Sequence, residues 1–270
     1  MKYHFKTTYK KIISDMLTPV SIYLRLRAAF PKTILLESSD YHGDEHNFSY
    51  ICFHPVAGFQ LQQQSFQAWF PDGQQLSKQL EPMQLADEVN AFLQHFIPSH
   101  THFPFISNGL FGYMSFDVIQ HFEDIRLRHA ANQIPTALYH VYQYVIAFNH
   151  FNHELYIIRN EVDGCNTAGP DLDEVETMIK YHPLTLDRFA ADENKTSNYS
   201  DSEFIDIINK GKEHCYRGDV FQIVLSRRYQ QAYTGDDFNV YRALRSINPS
   251  PYCFYFDFGN FRLMGSSPES

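Results

Sequence analysis

Cysteine is scarce and scattered in this 270-residue sequence: Cys52, Cys165, Cys215 and Cys253 stand far apart and form no Cys-x-x-Cys pair. That spacing excludes a zinc ribbon or a small disulfide scaffold and leaves reduced, mostly buried thiols as the expectation. Long apolar runs are missing too. No stretch is long enough to span a bilayer, and the opening MKYHFKTTYKKIISDM has no continuous apolar core of the kind that directs export, so a cytoplasmic chain is expected. Positive charge is in deficit, with 22 Lys and Arg against 31 Asp and Glu and only Lys10-Lys11 and Arg227-Arg228 as basic pairs. A chain of net charge -9 without a basic stripe repels nucleic acid and anionic membranes, and neither is expected as a partner. There is also no Walker loop, GxGxxG, HExxH or GxSxG, the short motifs of nucleotide, metal and acyl chemistry.

What is present is 44% hydrophobic and 16% aromatic residues, enough for a substantial core in one large domain or two smaller ones. Thr18-Pro19 predicts a helix start, with Thr18 as N-cap and Pro19 where a missing N–H costs nothing, followed by Val20, Tyr23, Leu24 and Arg27. Thr33 to Leu36 and Phe48 to Phe53 suit strands, and the polar stretch from Glu37 to Asn47, with Gly43, suits a loop. The mixed run from Phe59 to Phe70 meets Pro71-Asp72-Gly73, which predicts a hairpin turn. Leu85, Val89, Phe92, Leu93 and Phe96 repeat at helical spacing, as do Leu172, Val175, Met178 and Ile179. Between them, Tyr139 to Phe148 and Glu154 to Arg159 read as a long hairpin.

The polar, Pro183-containing stretch His182 to Tyr199 is the predicted boundary, dividing the chain into 1–190 and 191–270. After it, Ser200-Asp201-Ser202-Glu203 fits a capping box that opens a helix, and Gly218-Asp219 stops it. Val220 to Tyr229 predicts a strand and Asp237 to Ile247 a helix. Tyr252 to Phe258 and Phe261 to Gly265 flank Gly259-Asn260, a tight-hairpin signal. Successive strands on short turns imply antiparallel pairing. The fold expectation is therefore α+β: antiparallel β-sheets in a sandwich-like core with helices packed outside.

Fourteen histidines are present. The pairs His100/His102 and His150/His153 have no companion carboxylate or Cys pattern, and solvated loop histidines are the expectation. The run GDVFQIVLSRRY, Gly218 to Tyr229, carries more information. On a strand Gln222, Val224 and Ser226 share one face and Phe221, Ile223 and Leu225 the other, so one polar amide projects from a segment built for burial. That amide either is satisfied by neighbouring backbone or belongs to a site.

GDVFQIVLS followed by a basic residue resembles the hallmark segment of the large subunits of anthranilate synthase, within the chorismate-binding enzyme family. Further segments agree in order: Leu17-Thr18-Pro19-Val20-Ser21, Leu35-Leu36-Glu37-Ser38, Gly109-Leu110-Phe111-Gly112-Tyr113, Asn248-Pro249-Ser250-Pro251-Tyr252 and Gly265-Ser266-Ser267-Pro268-Glu269. The resemblance implies a lyase of tryptophan biosynthesis that takes chorismate and ammonia to anthranilate and pyruvate with Mg2+. Ammonia would come from a glutamine amidotransferase subunit, and tryptophan would act as feedback inhibitor. It makes 1–190 a regulatory region and 191–270 the beginning of a catalytic domain. The chain stops at Ser270, truncated relative to the family fold; no metal ligand is expected within it, the acidic ligands and catalytic His being expected after Ser270, and the chain alone is expected to be inactive.

Related isochorismate- and salicylate-forming enzymes carry a Lys base where this sequence has Gln222. A Gln amide is no base at neutral pH, but it can hydrogen-bond incoming ammonia, so Gln222 is the candidate catalytic contact. Leu36, Glu37 and Ser38 with Pro251, Tyr252 and Cys253 resemble the two halves of the family's tryptophan site. A carboxylate and a hydroxyl would take the ligand's ammonium and polar edge, and Pro251 and Tyr252 would wall its indole. Cys253 stands where the family has Met and would loosen that fit. Three alternatives stay open: aminodeoxychorismate synthase large subunit, an inert tryptophan-binding or docking fragment, and Asn248 to Tyr252 as merely a turn into a strand.

Overall fold

In a computed structural model of the chain, residues 1–38, 47–99, 101–125, 127, 133–165 and 167–267 are described. Gly43 of the expected loop, His100, and the Pro268-Glu269 end of the last motif lie outside the described residues. In chain order the first part contains β1 (Tyr3–Ile13), α1 (Pro19–Leu26), β2 (Ile34–Ser38), β3 (Phe48–Gln62), β4 (Ser65–Trp69) and β5 (Gln75–Gln79). Next come α2 (Leu85–Leu93), β6 (Phe96–Ile97), β7 (Phe111–Met114), a 3-10 turn (Phe116–His121), β8 (Ala137–Asn149), β9 (Glu154–Val162) and α3 (Leu172–Tyr181). The chain continues through β10 (Phe189–Ser197), α4 (Asp201–Arg217), β11 (Tyr229–Gly235), α5 (Phe238–Ile247), β12 (Tyr252–Asp257) and β13 (Arg262–Ser267).

The helix ends follow the chemistry of their caps. Thr18 Oγ1 accepts the Ser21 N–H at 3.1 Å and Ser21 Oγ accepts the Thr18 N–H at 3.0 Å, so two orphan donors of α1 are satisfied reciprocally. Ser200 and Glu203 do the same for α4, which ends at Gly218 with φ +78°, a left-handed turn that a side chain would disfavour.

Among the described residues eleven strands make one sheet, with the path β13-β12-β2-β3-β8-β9-β1-β6, the β4-β5 ribbon on β3, and β7 on β8. Every pair is antiparallel except the short β1–β6 contact, which meets the α+β expectation. The long β3–β8 ladder shifts register between Pro55 and Ala57. Proline has no N–H to give a ladder, and a bulge is where a strand tolerates one. One core cluster gathers Phe59, Leu61, Phe66, Leu85, Phe92 and Val141. A second gathers Ile34, Cys52, Leu138, Tyr142, Val145, Phe256 and Phe258.

Two compact units divide the chain. One is Met1–Thr185 with Tyr241–Ser270; the other is Leu186–Val240. This line differs from the 1–190 and 191–270 division, because β12 returns to pair with β2, and Tyr241–Ser270 goes with it. The described part of Val220 to Tyr229 differs from expectation as well: residues 220–228 form no strand, and Phe221 and Val224 are exposed. A strand needs a ladder for its N–H and C=O groups, and the β10–β11 ladder takes up the chain only from Tyr229 onward, with the Arg228 C=O accepting the Asn198 N–H at 3.2 Å at its edge. By contrast, the polar boundary stretch does contain a strand, β10, which pairs antiparallel with β11. Both are exposed along nearly their whole length, so a backbone ladder rather than hydrophobic pattern makes them.

Candidate functional site

The β2–β12 pairing brings together the two segments that the sequence marked far apart. Ser38 lies opposite Tyr252, Glu37 opposite Cys253 and Leu36 opposite Phe254. Side chains alternate across a strand, so Leu36, Ser38, Tyr252 and Phe254 share one face while Glu37 and Cys253 point to the other. Tyr50, opposite Leu36 on β3, extends the first face. With Asn47, Phe48 and Ile106 these residues wall a cavity of about 410 Å³, to which Glu37 and Cys253 also contribute. The Tyr50 hydroxyl accepts the Ile106 N–H at 3.3 Å, and burial raises its pKa. The Ser38 N–H donates to Ser49 Oγ at 3.2 Å, and Ser49 Oγ meets His150 Nε2 at 2.7 Å. His150 is thus no solvated loop histidine. Burial, then Arg245 and His153, lower its pKa and so favour the neutral ring.

On the reverse face the Glu37 side chain is 3% exposed. The Tyr241 hydroxyl donates to Glu37 Oε2 at 2.5 Å, and Arg245 Nε stands 3.3 Å from the same oxygen. Burial still raises the Glu37 pKa above its ordinary value, because the loss of hydration outweighs what Tyr241 and Arg245 return. Tyr241 is pushed well above the usual phenol range by burial and by the Glu37 charge, so it remains a donor. Its ring packs on Tyr255 at 5.7 Å, and Tyr255 meets Tyr23 of α1 edge-on at 5.5 Å. Cys253 is buried, its Sγ 3.7 Å from both Ser266 Oγ and the Ser250 carbonyl.

The six residues expected to form one binding surface are therefore sorted by the pleat. Leu36, Ser38 and Tyr252 present side chains on the cavity face. The Glu37 carboxylate, expected to take a ligand's ammonium, is committed to Tyr241 and Arg245 instead. Pro251 precedes β12 and is not among the cavity's lining residues. Sequence reasoning missed Phe48, Tyr50, Ile106 and Phe254 on the cavity side and Tyr241 and Arg245 behind it. Tyr50 was within reach of a β2–β3 register argument. Tyr241 lies 204 residues from Glu37, and no local pattern links the two.

Gln222 is exposed in the segment 220–228, which forms no strand, and belongs to the other unit. Among the described residues no group of three His, Cys, Asp or Glu side chains stands ready to hold a metal ion. No helix among them is long and apolar enough to cross a membrane.

Comparison with known proteins fits this architecture. The family described as chorismate binding enzyme matches residues 32–270. Among curated relatives, anthranilate synthase component 1 of Aquifex aeolicus is 28% identical over 99% of this chain and 56% of its own length. The protein of the same name from Neisseria meningitidis serogroup C is 30% identical over 96% of this chain and 55% of its own. The chain thus spans about half the length of the curated relatives it matches. Among solved structures, anthranilate synthase component I from Streptococcus pneumoniae aligns over 97% of this chain and 58% of its own, with TM-score 0.59 and 23% identity. MenF, the menaquinone-specific isochorismate synthase of Escherichia coli, aligns over 99% and 51%, with TM-score 0.58 and 12% identity, and shares the fold. Matched over most of its length by one family and similar throughout to anthranilate synthase component 1, the chain belongs to the chorismate-binding enzymes.

Proposed function

We propose that this chain is part of an anthranilate synthase large subunit, a cytoplasmic enzyme of tryptophan biosynthesis. The longer protein would convert chorismate and ammonia to anthranilate and pyruvate, drawing ammonia from a glutamine amidotransferase partner. The observation that carries this reading is similarity to component 1 proteins across 96–99% of the chain, Gln222 included in the matched span. Gln222 supports amination over hydration, since an amide can orient ammonia, already a nucleophile, without deprotonating water. Magnesium enters through the family resemblance alone. Among the described residues no group of three His, Cys, Asp or Glu side chains is placed to hold it.

The same reading makes the cavity beside β2 and β12 a tryptophan effector site in altered form. Tyr50, Phe48, Tyr252 and Phe254 supply a mostly aromatic wall, and Ser38 the polar edge. Incubating the full-length protein with chorismate, magnesium and an ammonium salt tests the enzyme: fluorescent anthranilate is expected, and an aminodeoxychorismate product would transfer the assignment to that relative. Calorimetric titration of the chain with L-tryptophan tests the effector site. Saturable binding that Ser38→Ala weakens about tenfold is expected for a lost hydrogen bond to a charged ligand group; unchanged binding would remove Ser38 from the site.

A further inference from the structure

A second cavity lies elsewhere on the sheet, and no function given above uses it. It measures about 530 Å³, within the range of small-molecule sites. Its lining includes Lys32, Gln67, Trp69, His140, Phe258 and Asn260. Trp69 is the one tryptophan of the chain. Its ring is seated over Gly58, where a Cβ would come within 2.4 Å of Trp69 Cζ2, so the absence of a side chain there makes room for the indole. His140 meets that indole edge-on at 5.3 Å and stacks on Phe258 at 5.8 Å. Lys32 reaches the tip of the β12–β13 hairpin, its Cε 3.9 Å from where a Cβ of Gly259 would lie.

The electrostatics of this cavity are one-sided. Among the described residues that line it, Lys32 is the only charged one and none is a carboxylate. His140 is 2% exposed, and its Nδ1 is sealed with no hydrogen-bond partner. Burial, then the nearby Lys32 charge, lowers its pKa to about 3, so the ring is neutral at pH 7. A neutral imidazole carries one proton. A sealed Nδ1 with no acceptor is the poorer place for it, which assigns the proton to Nε2 on a ring that lines the cavity.

From this geometry we propose that the cavity is a binding site for a small aromatic carboxylate, its carboxylate held by the Lys32 ammonium and the His140 Nε2–H, its ring against Trp69. An ammonium ligand would meet Lys32 with like charge. A ligand without a flat ring would forgo the Trp69 wall.

Trp69 provides the readout. Titrating the chain with benzoate should give a saturable change in tryptophan emission, and Lys32→Gln should weaken it about tenfold, as for a charge-assisted hydrogen bond lost. Lys32 is exposed in a turn, and a far-ultraviolet circular dichroism spectrum superposing on that of the parent chain shows that the variant is folded. Benzylamine should leave the emission unchanged, and inorganic phosphate should bind at least tenfold more weakly than benzoate. As an independent measure, the His140 ring resonances should move on adding benzoate to the parent chain. Equal responses to benzoate and benzylamine, equal affinity for phosphate, no saturable response, or full affinity in folded Lys32→Gln would each overturn the proposal.

Discussion

Replacing Tyr241 with Phe isolates the energetics of the buried Glu37. The substitution keeps the ring that packs on Tyr255 and removes only the hydroxyl that donates to Glu37 Oε2 at 2.5 Å. A hydrogen bond to a charged group contributes about 1.5–3 kcal/mol, whereas one to a neutral partner contributes about 0.5–1.5 kcal/mol. Arg245 cannot replace the lost donor fully: its side chain is 45% exposed, and solvent screening limits its share to about 1 kcal/mol or less. Tyr241→Phe should therefore cost about 2 kcal/mol at pH 7. The pH dependence carries the sharper test. The folded Glu37 pKa lies above its ordinary value of 4.5, so the folded state binds the proton more tightly than the unfolded chain does. Its contribution to stability is accordingly fullest below pH 4.5 and is lost as pH rises through the folded value, the reverse of a salt-bridged carboxylate. Losing the Tyr241 donor raises that folded pKa further, since its hydrogen bond acts to lower it. The cost of Tyr241→Phe should then shrink by about 1 kcal/mol as pH falls below the folded Glu37 value and the acceptor becomes neutral. Urea denaturation followed by Trp69 fluorescence at a series of pH values measures both numbers. A cost below about 0.5 kcal/mol at pH 7, or one that does not change with pH, would refute the assignment of an ionised Glu37 held by this hydroxyl.

Two further outcomes concern the sheet. Gly58→Ala would place a Cβ 2.3 Å from the Tyr139 carbonyl oxygen and 2.4 Å from Trp69 Cζ2. Since backbone cannot yield as a flexible side chain does, a loss of about 2–3 kcal/mol in urea denaturation is expected, with a shifted Trp69 emission maximum. His140, whose folded pKa is depressed to about 3 from 6.5, contributes stability that is complete above pH 6.5 and is lost as pH falls toward 3. Integrated down to pH 4 this amounts to about 3 kcal/mol, so His140→Phe should lose correspondingly less stability between pH 7 and pH 4 than the parent chain, as read by urea midpoints.

Much of the local structure was legible because it is decided within a few residues. The Thr18/Ser21 and Ser200/Glu203 boxes, the left-handed Gly218 stop and the Gly259-Asn260 hairpin each follow from one side chain or one φ preference. The antiparallel α+β class followed from strands on short turns, and membership of the chorismate-binding enzymes from ordered motifs. Strand formation at 189–197 and its absence at 220–228 were not legible, because a ladder depends on whether another strand lies alongside. The β-propensity of Val220, Phe221, Ile223 and Val224 could not supply one. The candidate cavity divides in the same way. Its two segments stood out in the sequence, but only the β2–β12 register decided that they face each other, and the pleat decided which side chains line the cavity. The sequence by itself determined that a carboxylate stands at position 37, directly after the apolar run Ile34 to Leu36. That it turns inward to Tyr241 and Arg245, 204 residues and more away along the chain, is a consequence of tertiary packing, which alone can bring a donor to a buried charge.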